Sequence, residues 1–180
     1  MAISARIMAV VTMVEMHAGW RNGTAKVPRS PAMPFMFVTL TPGAYDAQAQ
    51  DRLAASLTEV AARAESLPDR PGPRSRALVC LHELPAGRFY SAGVAADRSL
   101  CGVFMTLYVT AGVLDGRRKA EFAAGIQAAA EKCAPQGRTV VTSAVIVEVA
   151  EGQWAQRGRI VRLPDVVGIA EFEHLAGVAL

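Results

Sequence analysis

Four runs rich in branched and aromatic residues, at 35–41, 77–84, 103–109 and 140–149, stand out along the chain. Most are continuous rather than alternating, the pattern of strands covered on both faces. Between them, residues 46–65 and 115–133 place apolar side chains at helical spacing. Each begins with an aspartate that follows a glycine-containing turn and is suited to cap a helix. Leu67-Pro68-Asp69-Arg70-Pro71-Gly72-Pro73 ends the first helical stretch, and Pro135-Gln136-Gly137 ends the second. The pattern predicts strand, helix, strand, and then the same again.

The two halves, 34–93 and 103–158, also match in detail. Phe37 falls on Thr106, Gly43 on Gly112 and Asp46 on Asp115, each 69 residues apart. The helices stay in step, with Leu53, Leu57, Val60 and Ala64 falling on Phe122, Ile126, Ala129 and Cys133. Glu83-Leu84-Pro85-Ala86-Gly87-Arg88-Phe89 then answers to Glu148-Val149-Ala150-Glu151-Gly152-Gln153-Trp154, and Gly93 to Gly158, now 65 residues apart. The second copy is therefore four residues shorter in the loop before its last strand. Matched glycines and a matched acid-to-aromatic spacing identify a duplicated supersecondary unit.

Neither unit alone is long enough to bury a substantial core, so the two must share one. Two strand-helix-strand units in tandem predict an α+β fold, a four-stranded sheet with parallel pairs and two helices on one face. The other face still carries Val, Leu, Ile and Phe, which predicts burial against further subunits.

Composition narrows the classes. Of 180 residues, 52% are hydrophobic and 19% charged, as in a compact globular protein. The net charge of +3 comes from scattered Lys and Arg without aromatic interleaving, which argues against a nucleic-acid partner. Cys80, Cys101 and Cys133 form no close pair. Two of them fall in predicted strand or helix cores, where cysteine acts as a small hydrophobe, so a reducing compartment is expected. His17, His82 and His174 are too dispersed for zinc, and His82 beside Glu83 makes a weak candidate dyad. The apolar stretch 7–16 is interrupted by Glu15, is too short for a membrane span and is a poor export signal. Residues 1–33 read as a disordered extension or a misassigned start, and 34–180 as a single domain with a carboxyl-terminal tail.

Met33-Pro34-Phe35-Met36-Phe37-Val38-Thr39-Leu40, followed at matching spacing by the glycine turn, the helix and Glu83-Leu84-Pro85-Ala86-Gly87-Arg88-Phe89, resembles the tautomerase superfamily. The resemblance runs from Pro34 to about Leu163. Its tandem form is similar to the fused branch, including 4-oxalocrotonate tautomerase relatives and those of cis-3-chloroacrylate dehalogenase. Gly158-Arg159-Ile160-Val161-Arg162-Leu163-Pro164 is similar to that group's carboxyl-terminal segment.

This resemblance implies an amino-terminal proline as catalyst. A free prolyl nitrogen is a secondary amine, and α-amino groups titrate near neutrality, where they can move protons between carbon and oxygen. Inside the chain, Pro34 is an amide without useful basicity. Initiation at Met33 followed by its removal would expose the amine. The departures are specific: the family's arginines fall on Ala44 and near Leu78, the dehalogenase's histidine near Ala61, its arginine pair near Ala111 and Leu114, and its water-activating carboxylate near Gln156. Dehalogenation and hydration are therefore disfavoured, and keto-enol proton transfer on a small carboxylate is expected.

Pro34 is the expected catalytic residue. Arg159, Arg157, Arg88 and Arg162 are the candidate carboxylate partners, Arg159 first among them, and Phe89 and Trp154 the candidate apolar walls, with Arg117 and Arg118 as surface charges. The expected protein is a cytoplasmic homotrimer without metal, cofactor or membrane partner. The alternative is a non-catalytic oligomeric binding or interaction protein of the same fold.

Overall fold

The computed structural model describes residues 34–67, 77–96, 100–156 and 158–162, all within the compact unit Pro31–Leu180. The expectations for 1–33, for most of the break after the first helix, for Arg157 and for the carboxyl-terminal tail lie outside the described residues. The main elements are β1 (Phe35–Leu40), α1 (Ala47–Ala64), β2 (Leu78–Glu83), β5 (Leu100–Thr110), α2 (Gly116–Cys133) and β6 (Thr139–Val149). Two hairpins not anticipated from the pattern are present, one after each unit: β3 (Tyr90–Ser91) with β4 (Val94–Ala95), and β7 (Ala155–Gln156) with β8 (Arg159–Ile160). Their two-residue strands are too short to show any periodicity.

The sheet order is β2-β1-β5-β6, parallel within each unit and antiparallel where β1 meets β5. Phe37 pairs with Thr106 at that junction. These are equivalent residues of the two repeats, so a local two-fold axis passes between them. Phe37 also pairs with Cys80 and Thr106 with Val145, separations of 43 and 39 residues. The difference of four is the loop shortening read from the sequence.

Leu53, Leu57 and Val60 on α1 and Phe122, Ile126 and Ala129 on α2 are buried against Met36, Val38, Leu40, Val103, Met105 and Leu107 of the sheet. The helices approach closely where Gly125 meets Val60, since an added Cβ would stand 2.7 Å from Val60 Cγ1. Asp46 and Asp115 cap the helices as expected, accepting from the N–H groups of Ala49 and Arg118 at 2.7 and 2.8 Å. Gly43 and Gly112 take φ of +59° and +83° in the preceding turns, a backbone shape that favours glycine.

The opposite face of the sheet is open. Phe37 is 48% exposed and Val145 58%, and the Phe37 ring centroid lies 4.6 Å from that of Phe35 and 6.1 Å from that of Tyr108. A hollow of about 270 Å³ lies on this face between Phe37, Thr39, Phe104, Thr106, Ser143 and Val145. The continuous apolar runs thus correspond to a sheet covered on one side within the chain. Cys80 is exposed on the open face, contrary to a core role, because it shares a row with Phe37; Cys101 and Cys133 are buried.

Helix α1 ends with Ser66 at φ +54°, and the N–H groups of Ser66 and Leu67 bond to Arg63 and Ala62 carbonyls at 3.0 and 2.9 Å. Just before it, Glu65 is fully buried, and among the described residues neither carboxyl oxygen has a hydrogen-bond partner. Burial raises its pKa from 4.5 to about 8. The folded protein therefore holds a proton that the unfolded chain releases above pH 4.5, so stability falls as pH rises from there to about 8. Glu65→Gln is expected to remove most of this slope, a difference on the order of 4 kcal/mol at alkaline pH. Urea unfolding of both proteins at pH 5 and 8.5 measures it, and parallel pH dependences would contradict it.

Candidate functional site

Pro34 is buried at the head of β1, where its carbonyl accepts from the Leu78 N–H at 2.9 Å and extends the pairing with β2 by one residue. A strand-leading proline sacrifices no ladder donor. Phe35 faces Tyr108 across the antiparallel pair, so Pro34 comes level with Val109, which faces Glu148 on β6. Residues in one row of a sheet point to the same side. Pro34, Val109 and Glu148 thus share the helix-covered face, with roughly 10 Å between the first and the last at about 4.8 Å per strand.

Glu148 joins three elements at this end of the sheet. Its carboxylate accepts from the Gly112 N–H at 3.2 Å and from Lys119 Nζ at 2.8 Å, tying β6 to the turn and first helical residues of the second repeat. The hydrogen bond from Lys119, followed by that from Gly112, holds the Glu148 carboxyl below its ordinary pKa. Asp115 is likewise held low, first by the Arg118 N–H that it caps. Arg118 also lies 3.8 Å from Asp115, and Arg117 is paired with Glu121 at 2.6 Å.

The two-fold axis builds the same arrangement at the other end. There Val103, Leu40 and Glu83 form the row, and Glu83 accepts from Gly43 N–H and Gln50 Nε2, both at 2.8 Å. Val103 takes the place of Pro34 and Gln50 that of Lys119. The signal for these pairs was present in the repeat spacing, but the partnership of each glutamate with its turn and helix appears only in three dimensions.

The hairpins separate the other candidates. β6 runs parallel to β5 and ends at Val149 opposite Thr110, on Pro34's side of the sheet. The β7–β8 hairpin that follows carries half-buried Trp154, packed against the core, and exposed Arg159. Arg159 faces Gln156 in the hairpin, while Arg162 lies 3.9 Å from Glu151. The first hairpin goes the other way. Phe89 sets its ring 5.4 Å from that of Phe104, which is opposite Thr39, five residues along β1 from Pro34 and roughly 17 Å away. Within one chain, Phe89 and the adjacent exposed Arg88 therefore do not meet Pro34.

Among the described residues, no group of His, Cys, Asp and Glu is placed to hold a metal ion. His82 and Glu83 are both exposed and alternate in direction along β2. No described helix is long and apolar enough to cross a membrane.

Neither a protein-family model nor a curated protein matches the chain. Solved structures do. The fold is similar to "F6 fused 4-OT wild type asymmetric trimer", with 18% identity and TM-score 0.56 over 70% of this chain and 94% of that one. It is also similar to Pt0534 inactivated by 2-oxo-3-pentynoate, at 16% identity and TM-score 0.55 over 70% of this chain and 94% of that one. N1, a member of the cis-3-chloroacrylic acid dehalogenase family, is 17% identical with TM-score 0.56, over 72% of this chain and 85% of that one. At these identities the comparison establishes a tautomerase fold of the tandem type.

Proposed function

We propose that this tautomerase-fold protein is an isomerase that moves a proton between oxygen and carbon of a small enol or keto carboxylate, with the amine of Pro34 as base and acid. The observation that supports this reading is the position of Pro34 at a strand head, level with Val109 and Glu148 in one row of the sheet. Ketonisation needs the amine to receive the enol hydroxyl proton and a prolyl ammonium to return one to carbon, which leaves the overall proton count unchanged. The nitrogen has that capacity only when Pro34 begins the chain. Arg159 is the proposed carboxylate partner and Trp154 the apolar wall. Arg88 and Phe89 serve the same site only if supplied by a neighbouring copy. With Pro34 left as an amide, the second reading is an oligomeric binding protein.

Protein beginning at Pro34 is expected to ketonise phenylenolpyruvate or 2-hydroxymuconate about a hundredfold or more faster than the full chain or Pro34→Ala. It should also gain the mass of one 2-oxo-3-pentynoate per chain, the reagent that inactivates Pt0534. Equal rates for the three proteins would reject Pro34 as the catalyst.

Arg159→Ala is expected to lower kcat/KM for acidic substrates by roughly ten- to a hundredfold through loss of a charge-assisted hydrogen bond. Neutral substrates should be little affected. A loss of the same size on both would instead indicate damage to the hairpin.

The open sheet face supports a homotrimer, the assembly of the similar fused 4-OT structure. Light scattering at micromolar concentration should give three times the chain mass, and Phe37→Glu, at the centre of that face, should yield monomers with unchanged helix content. A monomeric parent protein would require another cover for the face.

A further inference from the structure

We propose that Lys119 acts with Arg159 to set the charge preference of the Pro34 site, Lys119 holding one oxygen of the carboxylate of a small acidic substrate whose reacting carbon lies against Pro34. This rests on the reading of Pro34 as the proton-transfer group.

The repeat supplies an internal control. Both copies have the turn glycine, the capping aspartate and the glutamate at the end of the last strand. Their helices then differ: Ala47-Gln48-Ala49-Gln50 in the first and Gly116-Arg117-Arg118-Lys119 in the second. Gln50 Nε2 reaches Glu83 at 2.8 Å, the same distance at which Lys119 Nζ reaches Glu148. The fold therefore needs a donor at this position but not a positive charge. The charge occurs in the copy whose row contains Pro34, while the uncharged donor stands in the row headed by Val103.

Lys119 is also the cation of its turn suited to this role. Arg117 is occupied by Glu121 and Arg118 lies against Asp115, both on their own helix or its cap. Lys119 bonds to Glu148, in the row of Pro34, yet both side chains remain 36% exposed. An ammonium has three donors on a flexible four-carbon stem, so the bond to Glu148 leaves capacity for a second carboxylate. Without Lys119, the charge of Glu148 would repel the same acid. The positive charge at the site thus both attracts an anionic substrate and screens Glu148 from it.

The experiment uses protein beginning at Pro34 and compares the parent with Lys119→Gln, which installs the side chain that the other repeat already accommodates, and Gln50→Lys, which adds a charge at the opposite end. Binding of phenylpyruvate and of its neutral methyl ester is measured by calorimetric titration, alongside turnover of the enol acid. Lys119→Gln should weaken phenylpyruvate binding at least tenfold, leave the ester within twofold and flatten the dependence of binding on salt. Gln50→Lys should change neither ligand by more than twofold. Unchanged acid binding in Lys119→Gln, equal loss of acid and ester, or no binding of the acid to the parent would each overturn the assignment. Selective loss of acid binding without turnover in any protein would uphold Lys119 and reject Pro34 as catalyst.

Discussion

The antiparallel pairing of β1 with β5 about Phe37 and Thr106 is the constraint on which the molecule depends. Each repeat by itself has one helix and one pair of main strands, too little to close a core. Joining the central strands puts both helices on one face and merges Leu53, Leu57, Phe122 and Ile126 into a single cluster. The same pairing lays the head of each central strand beside the tail of the other. Pro34 therefore lies between Leu78 of its own repeat and Val109 of the second, and Val103 between Thr142 of its own repeat and Leu40 of the first.

What the two copies share is what the fold requires. The turn glycines relieve a left-handed backbone, the aspartates satisfy the first helical N–H groups, and Glu83 and Glu148 fasten their sheet ends to their turns. Among the positions that differ are those at the two ends of the sheet, where Pro34 and Lys119 correspond to Val103 and Gln50. A two-fold scaffold carrying unlike groups at its ends yields one chemically distinct end per chain. Glu65 shows the same logic in the core: its counterpart is Ala134, so a carboxyl group at that helix terminus is a property of one copy and not a demand of the architecture.

The open face and the hairpins extend this asymmetry outward. Phe35, Phe37 and Tyr108 form a connected aromatic patch towards Pro34's end, whereas Phe104 and Phe89 meet at the other. An aromatic surface of this kind is poorly accommodated in water and well suited to burial between copies. Packing of copies through this face would bring a neighbour close to the sheet end that carries Pro34.

The amino-acid sequence by itself determined the duplication, the six main elements, the helix caps and the buried helix stripes, since these depend on local spacing and on matches between residues at fixed separation. It also nominated Pro34, Arg159, Arg157, Arg88, Trp154 and Phe89 as candidate site residues. It did not separate Trp154 from Phe89, which are equivalent in the repeat, and the two-residue hairpin strands carried no period to read. Nor did it reveal that Glu148 binds the Gly112 turn and Lys119, or that Cys80 faces outward. Those outcomes were decided by the tertiary structure, because the antiparallel junction exchanges the ends of the two repeats and the covering of only one sheet face decides which side of each strand is buried.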